Sequence, residues 1–422
     1  MRADVCVVGG GIAGLAVAAL LVAAGLTVTV LEAQDRVGGR ARDERIDGFT
    51  VSDGGHLLHT SWTALQRTVP PAGLALGGFA PGVRVFLDGR RMRFGAAPIR
   101  PQQAFSTLRT PIGSAADKAR LSKLLYRLAA GGAERALAGP EQSSSDSFAV
   151  RGYSVELVDR FLRPYLTGLA ADEDLATSIR GADWLLRLLV RGRFAVPGEG
   201  VGAIARELVR RLPQGTLRLG TRVHSVRADR VLCDAGEIRA GAVVVAADPY
   251  TAVELLPGLH EPRMRAVTTL WHVTDDAGIP PDPERAPSVL VDGTAGSPVA
   301  RTAVLSRAAP ALAPPGRALV ATTVFGDDGK QLPALDRAVL DRLAELHGST
   351  TRYWETLDIR HVEHALVTMQ TPHNFARPVR LIKGLYVCGD HRDLPNVEGA
   401  LQSAHRAAAA VLEDLRGRRQ SA

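Results

Sequence analysis

Lysine, cysteine and aromatic residues are scarce in this chain of 422 residues. Lysine occurs only at positions 118, 123, 330 and 383, so the 51 basic residues are nearly all arginine. The three cysteines, Cys6, Cys233 and Cys388, are an odd number and lie in strand-like apolar surroundings. We interpret them as reduced core thiols, because a disulfide framework uses an even and denser set. No Cys/His spacing is typical of zinc, so we predict no metal site.

The chain also lacks a long uninterrupted apolar run. Residues 12–31 come nearest to a membrane helix, but Gly14 and Gly25 interrupt them and a β-branched strand fills their second half. Residues 1–4 lead straight into an apolar strand and leave no room for a signal peptide, so we expect a cytoplasmic protein. The hydrophobic content of 46% allows two domains, each with its own core.

The formal net charge of +7 admits more than one interpretation. It is consistent with a solvated surface rich in arginine, or with attraction of an anionic substrate or an anionic membrane face. Residues 180–193 alternate arginine with large apolar side chains, which indicates a helix that packs in a core or contacts lipid. Peripheral membrane contact therefore stays open. Nucleic acid is not an expected partner, because no recognition module is visible and the charge is scattered.

A glycine motif near the start predicts a dinucleotide site. The apolar residues 5–8 suit a buried parallel strand, and they end directly in the motif Gly9-x-Gly11-x-x-Gly14. Gly9 permits a tight turn, Gly11 lets a pyrophosphate approach the backbone, and Gly14 lets the next helix pack closely. Glu32 ends a second strand eighteen residues later, where a carboxylate can accept ribose hydroxyls. The flanking residues Ile12, Ala13 and Ala33 complete the predicted contacts.

Further glycine-rich turns favour FAD over NAD. Arg36-Val37-Gly38-Gly39-Arg40 adds a second close approach of backbone to ligand, and Arg40 can neutralise the pyrophosphate. In the motif Asp53-Gly54-Gly55-His56, glycines again leave room for a flat ring on the main chain. Near the other end, a strand closes on Gly389-Asp390, and Asp390 is placed to bind a polyol such as the ribitol of FAD.

With these motifs in this order, the chain resembles the superfamily of flavin amine oxidases, phytoene desaturases and protoporphyrinogen oxidases. The resemblance implies an α/β fold, in which a Rossmann-type FAD-binding domain with a parallel sheet is interleaved with an α+β substrate domain. It also implies that the backbone of Val223 pairs with adenine, that Asp390 holds the ribitol, and that Val397 and Glu398 lie beside the isoalloxazine. Ala400 belongs to the same Glu-Gly-Ala step, and the helix that starts there would favour negative charge on the reduced ring.

The three cofactor segments set the expected domain organisation. Residues 1–66, 194–262 and 358–422 would form the FAD-binding domain, and residues 67–193 and 263–357 the substrate domain. Within the latter we predict helices over 115–130 and 334–347, a strand over 268–274, and loops over 280–287 and 309–315. We expect the flavin and the pocket for a small-molecule substrate at the junction between the domains.

Departures from the superfamily pattern narrow the predicted reaction. Asn396 stands where many amine oxidases have a tyrosine of an aromatic cage, and no lysine can be assigned to the position near N5. Cys388 lies in a strand, away from the position of thioether attachment in some relatives, so we expect non-covalent FAD. His56 and Asn396 are the candidate pocket residues, although His56 and His59 are also consistent with satisfied structural histidines.

Three functions remain open. The first is dehydrogenation or desaturation of a hydrophobic or polycyclic metabolite, with hydride transfer to flavin N5. The second is an amine or amino-acid oxidase that releases hydrogen peroxide. The third is a non-redox member of the fold, either a flavin-dependent isomerase or a lipid or prenyl carrier.

Overall fold

The apolar residues 5–8 lie in an inner strand of a largely parallel sheet. The computed structural model describes residues 2–95, 111–282, 286–326, 329 and 331–420. Within it, the side chains of Val5, Cys6 and Val7 are wholly buried. The strands are β1 Arg2–Val8, β2 Val28–Leu31, β3 Asp43–Ile46, β4 Phe49–Ser52, β5 Leu58–His59, β6 Gly77–Gly78, β7 Val83–Leu87, β8 Arg90–Phe94, β9 Phe194–Val196, β10 Leu217–Arg218, β11 Val223–Arg227, β12 Arg230–Cys233, β13 Gly236–Val245, β14 Met264–Asp275, β15 Leu290–Asp292, β16 Arg301–Val304, β17 Arg317–Phe325, β18 Glu355–Val367, β19 Arg380–Ile382 and β20 Leu385–Val387.

Helices cover the sheets and fill the region between β8 and β9. They are Ile12–Ala23, Thr63–Thr68, Ala115–Ala130, Ala133–Leu137, Ser144–Val150, Val155–Leu157, Arg163–Ala170, Ile179–Leu188, Ala203–Val209, Pro249–Leu255, Leu305–Ala308, Leu332–His347 and Val397–Gln420. A π-helical turn spans Val158–Leu162, and 3-10 turns span Pro71–Leu74, Asp276–Gly278, Pro310–Leu312 and Asp390–Arg392. Ser114 and Asp117 form a capping box that starts the helix predicted over 115–130. The loop predicted over 280–287 lies partly outside the described residues.

An eight-stranded sheet contains the predicted dinucleotide strands. Its order is β10-β2-β1-β13-β12-β11, with β20 beside β13 and β19 beside β20. The pairs β1–β2, β1–β13 and β13–β20 are parallel and in register, so Val8 lies opposite both Leu31 and Val245, and Val245 lies opposite Val387. The carboxyl ends of these strands therefore meet at one edge of the sheet, where ligands of open α/β sheets bind.

A seven-stranded sheet of order β18-β14-β17-β16-β15-β7-β8 forms the second layer. All its neighbouring strands are antiparallel except β15 and β7. Because side chains alternate between the faces of a strand, Trp271 packs in the larger core and Leu270 in a separate core. The predicted strand 268–274 lies in β14, and the predicted helix 334–347 lies in Leu332–His347, whose residues Val339 and Leu343 join that separate core.

The strands of the two sheets come from alternating parts of the chain. The strands of the eight-stranded sheet lie in three parts of the chain, residues 2–31, 217–245 and 380–387. All strands of the seven-stranded sheet lie outside those parts. The division into domains stays a prediction, but β18 crosses the boundary predicted between residues 357 and 358. We propose that the third cofactor segment begins after Val367, which keeps β18 in one domain.

Residues 12–31 and 180–193, the two apolar segments considered above for contact with a membrane, both pack inside the protein. The helix Ile179–Leu188 buries Trp184, Leu186 and Leu188, so its apolar face packs in the core. The stretch 12–31 forms a buried helix and strand β2, and no helix in the described part of the chain is long and apolar enough to cross a bilayer. The three cysteines are buried free thiols, and burial raises the pKa of Cys6 to about 12.

Five of the buried histidines in the described part of the chain resist protonation. Burial is the main cause in each case, because an imidazolium loses its hydration in an apolar interior. It lowers the pKa of His56 and His347 to about 3, and that of His59, His373 and His391 to about 4. The folded chain therefore keeps these rings neutral at a pH where the unfolded chain has begun to protonate them.

We predict that acid destabilises the fold between about pH 6.5 and pH 4. In this window the unfolded chain binds protons at the histidines and the folded chain does not. Each buried histidine then lowers the free energy of unfolding by about 1.4 kcal/mol for each pH unit of acidification. Urea unfolding at several pH values measures the slope, and His373→Phe should reduce it by one histidine's share. An unchanged slope in this variant would contradict the assignment.

Candidate functional site

The first glycine turn is shaped by packing at two glycines and open at the third. A Cβ on Gly9 would lie 2.7 Å from the carbonyl oxygen of Ala246, and one on Gly14 would lie 2.0 Å from the carbonyl oxygen of Gly9. Neither position can carry a side chain without a backbone shift. A Cβ on Gly11 would meet nothing within 4 Å. The backbone at Gly11 therefore borders open space, as the approach of a phosphate requires.

The second glycine turn lies against the first. The N–H of Gly38 donates to the carbonyl of Gly10 at 2.9 Å, and a Cβ on Gly39 would lie 3.3 Å from the Cα of Gly11. Ile12 and Ala13 begin the buried first helix, whereas Ala33 and Arg36 are exposed at the rim of these turns. The two turns together present main chain without side chains to one space.

Glu32 lies over the first turn at the end of β2. Its carboxylate accepts hydrogen bonds from the N–H groups of Gly10 at 2.5 Å and Gln34 at 2.8 Å. Its backbone carbonyl accepts from the N–H of Thr221 at 2.8 Å, which brings the segment leading to Val223 alongside. Val223 is half-buried and starts β11 next to a bulge. A carboxylate with spare lone pairs here is suited to bind a ribose.

An ion pair joins the beginning of the chain to its end. Nη2 of Arg40 lies 2.6 Å from Oδ1 of Asp390, and Nη1 donates to the carbonyl of Ala365 at 2.9 Å. Burial lowers the pKa of Arg40, but the adjacent Asp390 outweighs this and raises it. The Arg40 side chain nevertheless keeps 34% of its surface accessible. An accessible guanidinium directly after the Gly38-Gly39 turn fits the pyrophosphate of a dinucleotide.

The third glycine turn leads to His56. A Cβ on Gly54 would lie 2.5 Å from the carbonyl oxygen of Arg40, whereas one on Gly55 would meet nothing within 4 Å. His56 itself is 2% exposed, and its Nδ1 has no hydrogen-bond partner among the described residues. Burial and the charge of Arg301 lower the pKa of His56 to about 3. The ring is therefore a neutral polar group and a weak base.

His59 has a structural role. Its Nε2–H donates to the carbonyl of Leu188 at 3.1 Å, and Nδ1 accepts from the hydroxyl of Ser61 at 2.8 Å. Both ring nitrogens are thus satisfied. Burial lowers its pKa to about 4, so the ring stays neutral.

Asn396 caps the C-terminal helix, Val397–Gln420. Its side-chain oxygen accepts from the N–H of Gly399 at 3.0 Å, and its carbonyl accepts from the N–H of Ala400 at 3.0 Å. Among the described residues, the N–H groups of Val397 and Glu398 have no partner. They form the positive end of the helix dipole and remain available to an acceptor on a ligand.

The carboxylate of Glu398 is engaged elsewhere. It accepts from the N–H groups of Ala64 and Leu65, both at 3.0 Å, and from the hydroxyl of Thr63 at 3.3 Å. Gln402 also donates to it at 3.0 Å. Glu398 therefore caps the helix Thr63–Thr68, and only its main chain is left for a cofactor. This pairing across more than 330 residues has no local signal in the sequence.

Sequence reasoning missed the residues of the seven-stranded sheet that face His56. The Trp271 ring lies 5.5 Å from the His56 ring, and its Nε1 is buried without a described partner. Ala321 pairs with Trp271, and Thr323 pairs with Arg301, so Trp271 and Arg301 project from the same face. The alternating pattern of 268–274 was the only signal for Trp271, and Arg301 had none. Within the described residues, no group of acidic, His or Cys side chains is placed to hold a metal.

We predict that Glu398→Gln destabilises the fold through the lost helix cap. An amide offers one acceptor where the carboxylate serves two N–H groups, so the free energy of unfolding should fall by about 1 to 2 kcal/mol. The control is Glu413→Gln on the same helix, which removes an exposed pair with Arg380 and should change it by less than about 0.5 kcal/mol. Equal midpoints in urea for both variants would contradict the cap.

Comparison with known proteins agrees with this geometry. A family model described as flavin containing amine oxidoreductase matches residues 12–412. Hydroxysqualene dehydroxylase of Rhodopseudomonas palustris is 28% identical over 98% of this chain and 99% of its own length. Putrescine oxidase of Kocuria rosea is 46% identical, but only over 21% of this chain and 19% of its own length, so the chain matches about a fifth of that relative.

Solved structures share the fold. An oxidoreductase from Methanosarcina mazei superposes with a TM-score of 0.74 at 18% identity, over 97% of this chain and 100% of its own. Cyclohexylamine oxidase from Brevibacterium oxydans IH-35A gives a TM-score of 0.73 at 18% identity, over 98% and 99%. The matched residues include the second and third glycine turns, every strand of the two large sheets except β1, and most of the C-terminal helix. The chain therefore belongs to the flavin containing amine oxidoreductase family, and it is an FAD-dependent oxidoreductase.

Proposed function

We propose that this oxidoreductase dehydrogenates or desaturates a small, largely apolar metabolite. When bound, FAD supplies an acceptor for a hydride taken from a substrate C–H bond. The observation that carries the proposal is the role of Asn396 as a helix cap. At the position where resemblance places the cage tyrosine of amine oxidases, this chain has a short polar side chain that holds the helix end.

The face of the seven-stranded sheet next to His56 supports an apolar substrate. Trp271, Ala303 and Ala321 are buried and lie on that face. Among the described residues, no lysine lies on this face of the sheet. Lys118 and Lys123 are in the helix Ala115–Ala130, and Lys383 is in the exposed turn between β19 and β20. Residue 330 lies outside the described part. One relative that aligns with almost the whole chain is a hydroxysqualene dehydroxylase, which is not an amine oxidase by name.

The glycine turns, the ion pair and the helix end would hold the cofactor. The residues we propose for FAD are Gly9, Gly11, Ile12, Ala13, Gly14, Glu32, Ala33, Arg36, Gly38, Gly39, Arg40, Gly54, Gly55, His56, Val223, Gly389, Asp390, Val397, Glu398 and Ala400. Glu398 would contribute its N–H only. We propose non-covalent binding, because Cys388 is wholly buried and burial raises the pKa of its thiol to about 12, which disfavours a nucleophilic thiolate.

His56 and Asn396 remain proposed pocket residues with different duties. Asn396 would position the N–H groups of Val397 and Glu398 through the helix cap. His56 would offer a neutral ring nitrogen to orient the substrate, because a pKa of about 3 makes it a poor proton acceptor near neutral pH. A cytoplasmic location stays a prediction.

An amine oxidase is the second candidate, because putrescine oxidase and cyclohexylamine oxidase resemble the chain in sequence and in fold respectively. Against it stands the positive charge of Arg301 close enough to His56 to lower its pKa, since a cationic amine would be repelled there. A lipid or prenyl carrier is disfavoured, because the phosphate-binding turns are intact and a carrier does not need the flavin. A flavin-dependent isomerase stays an alternative.

We predict that the ribose contact of Glu32 governs FAD retention. Glu32→Gln keeps the size of the side chain but removes its charge and one acceptor, so the FAD dissociation constant should rise about 10- to 100-fold. Asp35→Asn changes an exposed acid three residues away and should leave it unchanged. Titration of the apoprotein with FAD, followed by flavin fluorescence, measures both. Equal FAD dissociation constants for the two variants would contradict the assignment of Glu32 to the FAD site.

The reaction class is tested by anaerobic reduction. We expect apolar and polycyclic compounds to abolish the flavin absorption at about 450 nm, whereas putrescine and cyclohexylamine should not. Reduction by the amines, with peroxide on readmission of air, would replace our proposal by the amine oxidase. Binding of an apolar compound without reduction would favour the isomerase or carrier.

A further inference from the structure

A pocket of about 660 Å³ opens at the surface where distant parts of the chain meet. The helix Ile179–Leu188, the segment before β19 and the turn after β20 all contribute to its wall. None of the residues that line it is among those proposed for FAD. We call it the arginine pocket, and its lining includes Arg180, His260, His373, Asn374, Arg377 and Arg392.

The arginine pocket is accessible from solvent. Of the residues that line it, His260 and Asn374 are exposed, and Arg180 and Arg377 are half-buried. Arg392 is 6% exposed and lies deeper. A ligand in solution can therefore reach the guanidiniums of Arg180 and Arg377 without a rearrangement of the chain.

The charge of the arginine pocket is positive. Among the described residues, Glu141 is the only acid that pairs with one of its three guanidiniums, that of Arg180. The side chain of Arg377 has no described partner, and Arg392 donates only Nη2, to the carbonyl of Pro378. A single arginine without an acid indicates no ligand. Two of them that line one open pocket leave about two positive charges there without a paired carboxylate.

The main chain holds Arg377 and Arg392 next to each other. The N–H of Arg377 donates to the carbonyl of Arg392 at 3.0 Å. Arg406 fixes both from the C-terminal helix, since its guanidinium donates to the carbonyls of Arg377 at 2.8 Å and Arg392 at 2.9 Å, and it is itself paired with Asp393. Burial, with the charges of Arg377 and Arg406, lowers the pKa of Arg392 to about 10. Like charges held together in this way are costly, and a bound anion would offset the cost.

Unsatisfied nitrogens lie at the same place. Nε of Arg180, Nε of Arg392 and Nε2 of His373 are buried without a described partner. Nη2 of Arg180 donates to the carbonyl of His373 at 2.9 Å, which fixes its guanidinium at the pocket. Buried polar groups without partners are rare, so several on residues of one positively charged pocket indicate an acceptor that binds there.

We propose that the arginine pocket binds a phosphate group, carried by a soluble phosphate ester or by the headgroup of a lipid. A phosphate monoester carries about −1.5 to −2 charges at neutral pH, which matches the two guanidiniums that have no paired carboxylate. Its oxygens accept charge-assisted hydrogen bonds from arginine forks, and the Asn374 amide at the rim adds a neutral donor. The site is separate from the residues proposed for FAD and does not depend on the proposed reaction.

The test is calorimetry on the holoprotein with phenyl phosphate and phenyl sulfate, at a pH above the second phosphate pKa of about 6. Saturation with FAD keeps both probes away from the pyrophosphate site. We expect phenyl phosphate to bind more tightly than phenyl sulfate, which has a similar shape but one charge. Arg377→Gln should weaken phenyl phosphate binding about 10-fold, because it removes a charge-assisted fork.

A second variant changes the charge of the pocket without removing an arginine. The Asn374 side-chain oxygen accepts from the N–H of Ala376 at 2.9 Å, so Asn374→Asp keeps this bond and adds a negative charge at the rim. It should weaken phenyl phosphate binding several-fold. The control Arg239→Gln removes an exposed arginine near the amino end of β13, at the opposite edge of the sheet from the turn after β20, and should have no effect. Flavin content and unfolding midpoints confirm that the variants are folded.

Vesicles distinguish the two sources of the phosphate group. Cosedimentation with phosphatidylcholine vesicles that contain phosphatidic acid, but not with phosphatidylcholine alone, identifies a lipid headgroup if both variants weaken it. Binding of phenyl phosphate without cosedimentation identifies a soluble ester.

Other outcomes overturn the inference. Failure of the wild type to bind either phenyl phosphate or the phosphatidic acid vesicles would show that the arginine pocket is not a phosphate site. Equal affinity for phenyl phosphate and phenyl sulfate would contradict the match of charges. Binding that both Arg377→Gln and Asn374→Asp leave unchanged would place the phosphate group elsewhere on the protein.

Discussion

The parallel pairing of β13 with β1 on one side and β20 on the other is the constraint on which the site depends. These strands come from three distant parts of the chain, and their register aligns Val8, Val245 and Val387. The backbone bonds continue past the strand ends, because Ala246 donates to Val8 and Cys388 donates to Val245. The glycine turn after β1 and the Gly389-Asp390 step after β20 must therefore lie at one edge. Arg40 and Asp390 then close this arrangement with an ion pair.

The local parts of the site could be predicted from the sequence, and the non-local parts could not. The turn at Gly9 to Gly14 is defined by a strand, a helix and glycine spacing within a dozen residues, so its geometry follows from the chain itself. Glu398 is different, because its carboxylate caps a helix more than 330 residues earlier. Nothing near Glu398 in the sequence distinguishes a capping acid from one that faces the flavin. The helix capped by Asn396 was expected, but the cap itself was not.

The surplus of arginine is explained largely by pairing. Arg360 contacts Glu44, Asp53 and Asp358, and Arg342 contacts Asp292 and Glu345. Such networks hold β18 and β15 to their neighbours. Arg187, Arg301 and Arg392 are different, because among the described residues each donates only to neutral acceptors. An absence of that kind depends on the whole packing and cannot be read from a stretch of sequence.

The central claim is that the three chain segments assemble a working FAD site, and the visible spectrum of the purified protein tests it most directly. We expect absorption bands at about 370 and 450 nm, and release of intact FAD into the supernatant when the protein is denatured with acid. A colourless protein that fails to regain these bands after incubation with FAD would contradict the account. The assembled turns would then be a fold without its cofactor.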